Sequence, residues 1–130
     1  MWRNNDLVSY RDHGSPNWAG ISSNEIPPLD NSLVTLTACS TCSTVNSNTF
    51  CQNALRQGAI GVVGAVSVAF LGGESDSVLI NKIYTDNENL GSAFREGFEY
   101  SGSNYQYALL GDPTLKINPT YLLEKEVVIE

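Results

Sequence analysis

Two short apolar blocks near the start of the chain each stop abruptly at a reactive side chain. Leu7-Val8-Ser9-Tyr10-Arg11-Asp12 runs into His13-Gly14, and Leu33-Val34-Thr35-Leu36-Thr37 runs into Ala38-Cys39. A β-rich run that ends at a polar residue reads as a strand delivering that residue to the edge of a sheet. Two parallel strands ending on one edge would bring an imidazole and a thiol together. Ligands of open α/β sheets bind beyond the carboxyl ends of the strands. His13 and Cys39 are therefore a candidate base and nucleophile. His13 is the only histidine in the sequence, and so the natural side-chain acid–base near neutral pH.

The remaining segments fit one α/β domain spanning residues 1–130. Residues 33–38 have the Val, Leu and Thr content of a strand buried on both faces. An amphipathic helix is predicted over 47–57, with Phe50, Cys51, Ala54 and Leu55 on one face and Gly58 as its C′ residue. On this reading Cys51 is a buried packing residue. Residues 59–65 make a third strand, and 66–73 leave the sheet on the edge that carries His13 and Cys39. A short helix is predicted within 75–84, and a longer one over 86–100 with Thr85 and Glu88 at capping-box spacing. Residues 105–110 read equally as extended or helical. Residues 114–117 read as a short strand, and 122–130 as a final strand or a linker. Residues 14–32 read as a loop.

Composition narrows the function. With 42% hydrophobic and 16% charged residues the chain is globular in type. A net charge of −7 argues against a nucleic-acid surface, and suits basic peptides or bound calcium as well as simple solubility. The longest apolar run, residues 58–73, is broken by glycines and is short of a membrane span. The first residues lack the apolar core of a signal peptide. The three cysteines are an odd number, so they do not all pair internally. Cys39-Ser40-Thr41-Cys42 raises a redox pair, and Cys39, Cys42, Cys51 and His13 a zinc site. The stretch after Cys39 has no helical periodicity, which opposes the first; no second ligand pair exists, which opposes the second.

The order of these pieces resembles the gingipain-type family within the caspase-like clan of cysteine peptidases. The resemblance rests on the block ending His13-Gly14-Ser15 with Trp18 beyond it and the block ending Ala38-Cys39. Residues 54–65 (ALRQGAIGVVGA) and 109–115 (LLGDPTL) complete it. It implies a caspase-like three-layer αβα sandwich with a mainly parallel sheet, and endopeptidase activity through a Cys39/His13 dyad. It also implies an oxyanion hole from the backbone N–H groups of Gly14 and Cys39. The exit segment Val66, Ser67 and Val68 would line the substrate pocket, with Trp18 a candidate wall. Also implied are a preference for a basic residue at the cleavage site and an extracellular or cell-surface location. No cofactor is required, no metal ligand is assigned, and structural calcium is compatible.

The family's fold has strands upstream of the His13 block that this sequence lacks. The expectation is therefore the C-terminal part of a catalytic domain, whose first strand meets the upstream part or a second copy. A non-catalytic peptidase-like binding or surface-display module is the alternative.

Overall fold

The computed structural model describes residues 6–14, 17–18, 21–43, 48–69, 75–99 and 106–117. Its elements run β1 (Leu7–Arg11), β2 (Asn17–Trp18), β3 (Ile21–Ser22), a 3₁₀ turn (Ser23–Glu25) and β4 (Leu33–Thr37). There follow α1 (Phe50–Arg56), β5 (Gly61–Ala65), α2 (Ser75–Tyr84), α3 (Leu90–Glu99) and β6 (Tyr107–Gly111). The main sheet has the order β1-β4-β5-β6. β1, β4 and β5 are parallel, and β6 runs antiparallel against β5.

Alternation along the strands builds two cores. Val34, Leu36 and Val62 pack with Phe50, Cys51 and Ala54 of α1, beside Ile26 and Leu29. Leu33, Val63, Ala65 and Tyr107 pack with Leu79 and Ile83 of α2 and with Leu90, Ala93 and Phe98 of α3. Successive residues of one strand thus feed opposite faces, which makes three layers, αβα. β4 and β5 are buried along their whole length. Each large apolar side chain so buried contributes about 1.5–3 kcal/mol.

The buried threonines of β4 are spent on its neighbour β1. Thr35 Oγ1 donates to Ser9 Oγ at 2.9 Å, and Thr37 Oγ1 donates to the Tyr10 carbonyl at 3.0 Å. Among the described residues β1 pairs with β4 alone and forms an edge of the sheet. The mainly parallel α/β architecture expected from the sequence is the one observed.

Helix α1 begins later than predicted. Thr49 is its N-cap, in a capping box with Gln52. It ends as expected: Gly58 has φ +98°. The Gly58 and Ala59 N–H groups donate to the Leu55 and Ala54 carbonyls, a Schellman closure.

Three expectations are corrected. α3 starts at Leu90, four residues late, because Asn89 caps it by accepting the Ser92 N–H at 2.8 Å. The Thr85 and Asp86 N–H groups instead close α2 on the Asn81 carbonyl. Residues 114–117 are not a strand. The Leu115 carbonyl accepts the Leu90 N–H, and Leu115 and Ile117 pack against the α2–α3 core. The span 14–32 is not plain loop either: β2 and β3 pair antiparallel, followed by the 3₁₀ turn capped by Ser22 and Glu25. The span read as extended or helical is strand β6 from Tyr107 onward, and its first residue lies outside the described residues. The reading of 122–130 lies outside the described residues.

Candidate active site at the carboxyl ends of β1 and β4

The site follows from strand register. β1 and β4 are paired from Leu7↔Leu33 to Arg11↔Thr37. His13 and Cys39 each stand two residues beyond that last pair, on adjacent parallel strands, at the same end. Gly14 lies directly against the end of the Cys39 strand: a Cβ there would be 2.6 Å from the Ala38 Cβ and 3.2 Å from the Cys39 carbonyl oxygen.

The His13 loop is anchored through its backbone. The Tyr10 hydroxyl donates to the His13 carbonyl at 2.9 Å, and the His13 N–H donates to the Asp12 carboxylate at 2.7 Å. Asp12 therefore serves the turn, as its position beside His13 suggests. The His13 side chain is exposed.

Cys39 is the free cysteine, half-buried, and its sulfur is held by one residue of the β5 exit. The Ala69 N–H donates to Sγ at 3.5 Å, and Sγ lies 3.5 Å from the Ala69 carbonyl. The turn after it is fixed to the same strand. Ser40 N–H donates to the Ser67 carbonyl at 2.9 Å and Cys42 N–H to the Ala65 carbonyl at 2.8 Å. Ser40 sits at φ +57°, in the left-handed region.

The exit segment divides. Val66 packs partly against the α1-side core, and its N–H donates to the Gln106 carbonyl. Ser67 is exposed, and Val68 is 67% exposed, the one large apolar side chain so placed among the described residues. The backbone of Trp18 pairs with Ile21. Its side chain lies outside what the structure describes, as do residues 70–74.

Two features were missed from the sequence. Cys42 and Cys51 are joined in a disulfide with a Cα–Cα distance of 5.0 Å. Cys51 is thus buried as expected, but bonded rather than free, and Cys42 is taken from both the redox pair with Cys39 and a zinc ligand set. Among the described residues no group of three or more His, Cys, Asp or Glu side chains could hold a metal ion.

The second feature is a polar row on the α2 side. Arg11 pairs with the Asp76 carboxylate of α2 at 3.7 Å. Burial pushes the Tyr107 phenol up, the nearby Cys39 and Asp76 add to the effect, and Arg11 opposes it. Arg11 lies opposite Thr37, and Tyr107 opposite Ala65. These groups border the site on one face of the sheet. Sequence gave little hint of them: Asp76 looks like an ordinary acidic residue of a helix first turn, sixty-five positions from Arg11.

The mainly parallel sheet between two helical layers is the architecture expected of the caspase-like fold. The model of peptidase family C25 matches residues 3–118, and the chain belongs to that family, the gingipain-type cysteine peptidases. Among solved structures it is similar to the Arg-specific cysteine proteinase gingipain R (RGPB), with a TM-score of 0.63 and 18% sequence identity. The match covers 88% of this chain and 34% of that one, so the chain spans about a third of that protein's length. No curated protein sequence matches the chain significantly. Among the described residues no helix is long and apolar enough to cross a membrane.

Proposed function

We propose that the chain carries the catalytic centre of a cysteine endopeptidase, with Cys39 as nucleophile and His13 as proton carrier. The observation that supports this best is the shared register: both residues stand two positions past the Arg11↔Thr37 pair. The Cys39 thiol gives its proton to His13, and the resulting thiolate attacks the scissile carbonyl carbon as the C=O π bond opens to an oxyanion. The oxyanion so formed accepts hydrogen bonds from the Gly14 and Cys39 N–H groups. Such a donor is worth roughly 3 kcal/mol. The C–N bond then breaks, and His13 returns the proton to the departing amine. Water hydrolyses the thioester with His13 as base, and the thiol is restored.

Substrate binds along the exit segment. Ser67 and Val68 offer exposed surface beside the Cys39 turn, and Val66 supports them. A basic residue at the cleavage site is supported by the Arg specificity in the name of the similar structure and by the net charge of −7. An extracellular or surface location follows the same likeness, and the edge position of β1 suits pairing with an upstream part of the same domain. Structural calcium has no step in this chemistry.

The test is substitution by alanine at Cys39, His13 and Cys42, assayed for peptide cleavage and melting temperature. Cys39→Ala and His13→Ala lose nearly all turnover and keep their fold. Turnover surviving Cys39→Ala would overturn the assignment.

A further inference from the structure

We propose that the Cys42–Cys51 disulfide is a positioning device for Cys39, so that the site works at its full rate only while the bridge is oxidised and Cys39 is reduced. This rests on the reading of Cys39 as nucleophile. The bridge joins the turn that follows Cys39 to the first turn of α1, and both cysteines are buried, at 5% and 0% exposure. Cys42 is three residues from Cys39.

The surroundings are built to hold the bridge. A Cβ on Gly64 would lie 2.5 Å from the Cys42 sulfur, 2.8 Å from the Cys51 sulfur and 2.9 Å from Thr41 Oγ1. The glycine of β5 therefore makes the space in which both sulfurs lie. Gly64 is not at positive φ, so space rather than backbone conformation calls for it. The Cys51 N–H also donates to the Thr41 carbonyl at 3.1 Å, and Thr41 Oγ1 donates to the Ala38 carbonyl at 3.1 Å. One continuous set of contacts thus runs from α1 through Cys51, Cys42 and Thr41 to the residue before the nucleophile.

Ser40, inside this set, holds a left-handed conformation that a non-glycine residue keeps only when its surroundings enforce it. Opening the bridge removes the covalent part of that enforcement and leaves hydrogen bonds alone. Reductant thus acts in two opposite senses on this turn. Mild reductant frees Cys39 from oxidised forms; stronger reductant transfers two electrons and two protons to the buried bridge, giving two thiols. With dithiothreitol, the reagent closes to its cyclic disulfide.

The full chain is treated with graded dithiothreitol and freed of reagent without air oxidation, at a temperature where its circular dichroism shows it folded. Three quantities are then read: kcat and KM for peptide cleavage, the rate of iodoacetamide alkylation of Cys39, and alkylation of Cys42 and Cys51 by mass spectrometry. In the bridged form cleavage is maximal. Once Cys42 and Cys51 become alkylatable, kcat falls about tenfold or more, as a small misplacement of a reacting group does. KM stays within about twofold and the Cys39 alkylation rate changes severalfold, since the substrate surface is kept while the sulfur is not. The Cys42→Ala/Cys51→Ala variant reproduces the reduced form and no longer responds to strong reductant. A folded, reduced chain with the kcat and Cys39 alkylation rate of the bridged form would overturn the proposal. If the bridged chain cleaves no peptide either alone or joined to the upstream part of its domain, the peptidase reading fails, and the alkylation rate alone then decides the positioning claim: a changed rate supports it and an equal rate overturns it.

Discussion

Gly14 and Ala38 touch with no room for another atom between them. A Cβ on Gly14 would lie 2.6 Å from the Ala38 Cβ. Gly14 is not at positive φ, so its requirement is spatial. The residue after His13 and the residue before Cys39 meet because β1 and β4 run in register to their common end. Gly14→Ala must push these segments apart. Overpacking of this kind costs about 1–3 kcal/mol. If the proposed dyad is correct, turnover falls by at least about tenfold, since the displacement lies between His13 and Cys39. Denaturant titration and peptide cleavage check the two numbers; wild-type values for both would show that the contact is slack.

Gly64→Ala tests the other close approach. The new Cβ would meet both sulfurs of the disulfide and the Thr41 hydroxyl. These are short side chains in a buried layer with little freedom to withdraw. A stability loss of about 1–3 kcal/mol is expected by urea titration, with a slower Cys39. An unchanged midpoint would contradict this packing.

Lys82 joins α2 to the connection and to α3. Its Nζ lies 3.1 Å from Asp86, 3.2 Å from Glu96 and 3.8 Å from Glu88. The hydrogen bond to Asp86, then that to Glu96, holds its ammonium well above the ordinary lysine value. A pKa raised on folding gives stabilisation that is complete below the unfolded pKa and lost as pH rises through the folded one. The side chain is partly exposed, so salt screens it. Lys82→Met should lower the melting temperature at low ionic strength, and the difference should shrink as salt is added. A salt-independent difference would point to lost packing instead.

Tyr84 sets an alkaline limit. Burial, aided by Asp6, pushes its phenol from 10.0 up to about 12. The unfolded chain then releases this proton before the folded one does, so stability is full below pH 10 and declines toward pH 12. Tyr84→Phe should flatten the fall of melting temperature across that range. An identical alkaline slope would remove Tyr84 from the account.

The strands are legible because β4 and β5 are short runs with little charge, buried on both sides, and such runs leave few alternatives. The end of α1 was legible from Gly58, whose left-handed φ is a local demand. The start of α3 was not. Thr85 and Glu88 have capping-box spacing, but Lys82 draws the Glu88 carboxylate to α2, and Asn89 takes the cap. Residues 114–117 alternate like a strand, yet the Leu115 carbonyl is used by the first turn of α3. The pairing of His13 with Cys39 in one register could be anticipated from two blocks ending in reactive residues. The Cys42–Cys51 bridge and the Arg11–Asp76 pair could not, since both depend on which face of the sheet α1 and α2 cover.

Covalent labelling tests the central claim most directly. A peptidyl acyloxymethyl ketone with a basic residue next to the warhead traps the nucleophile as a thioether while displacing its carboxylate, and mass spectrometry of the digest locates it. The account requires modification of Cys39 alone, at a rate that falls by about a hundredfold or more in His13→Ala, the scale on which general acid–base catalysis operates. Equal labelling of the wild type and His13→Ala, or labelling at Cys42 or Cys51 in the folded, bridged chain, would contradict it.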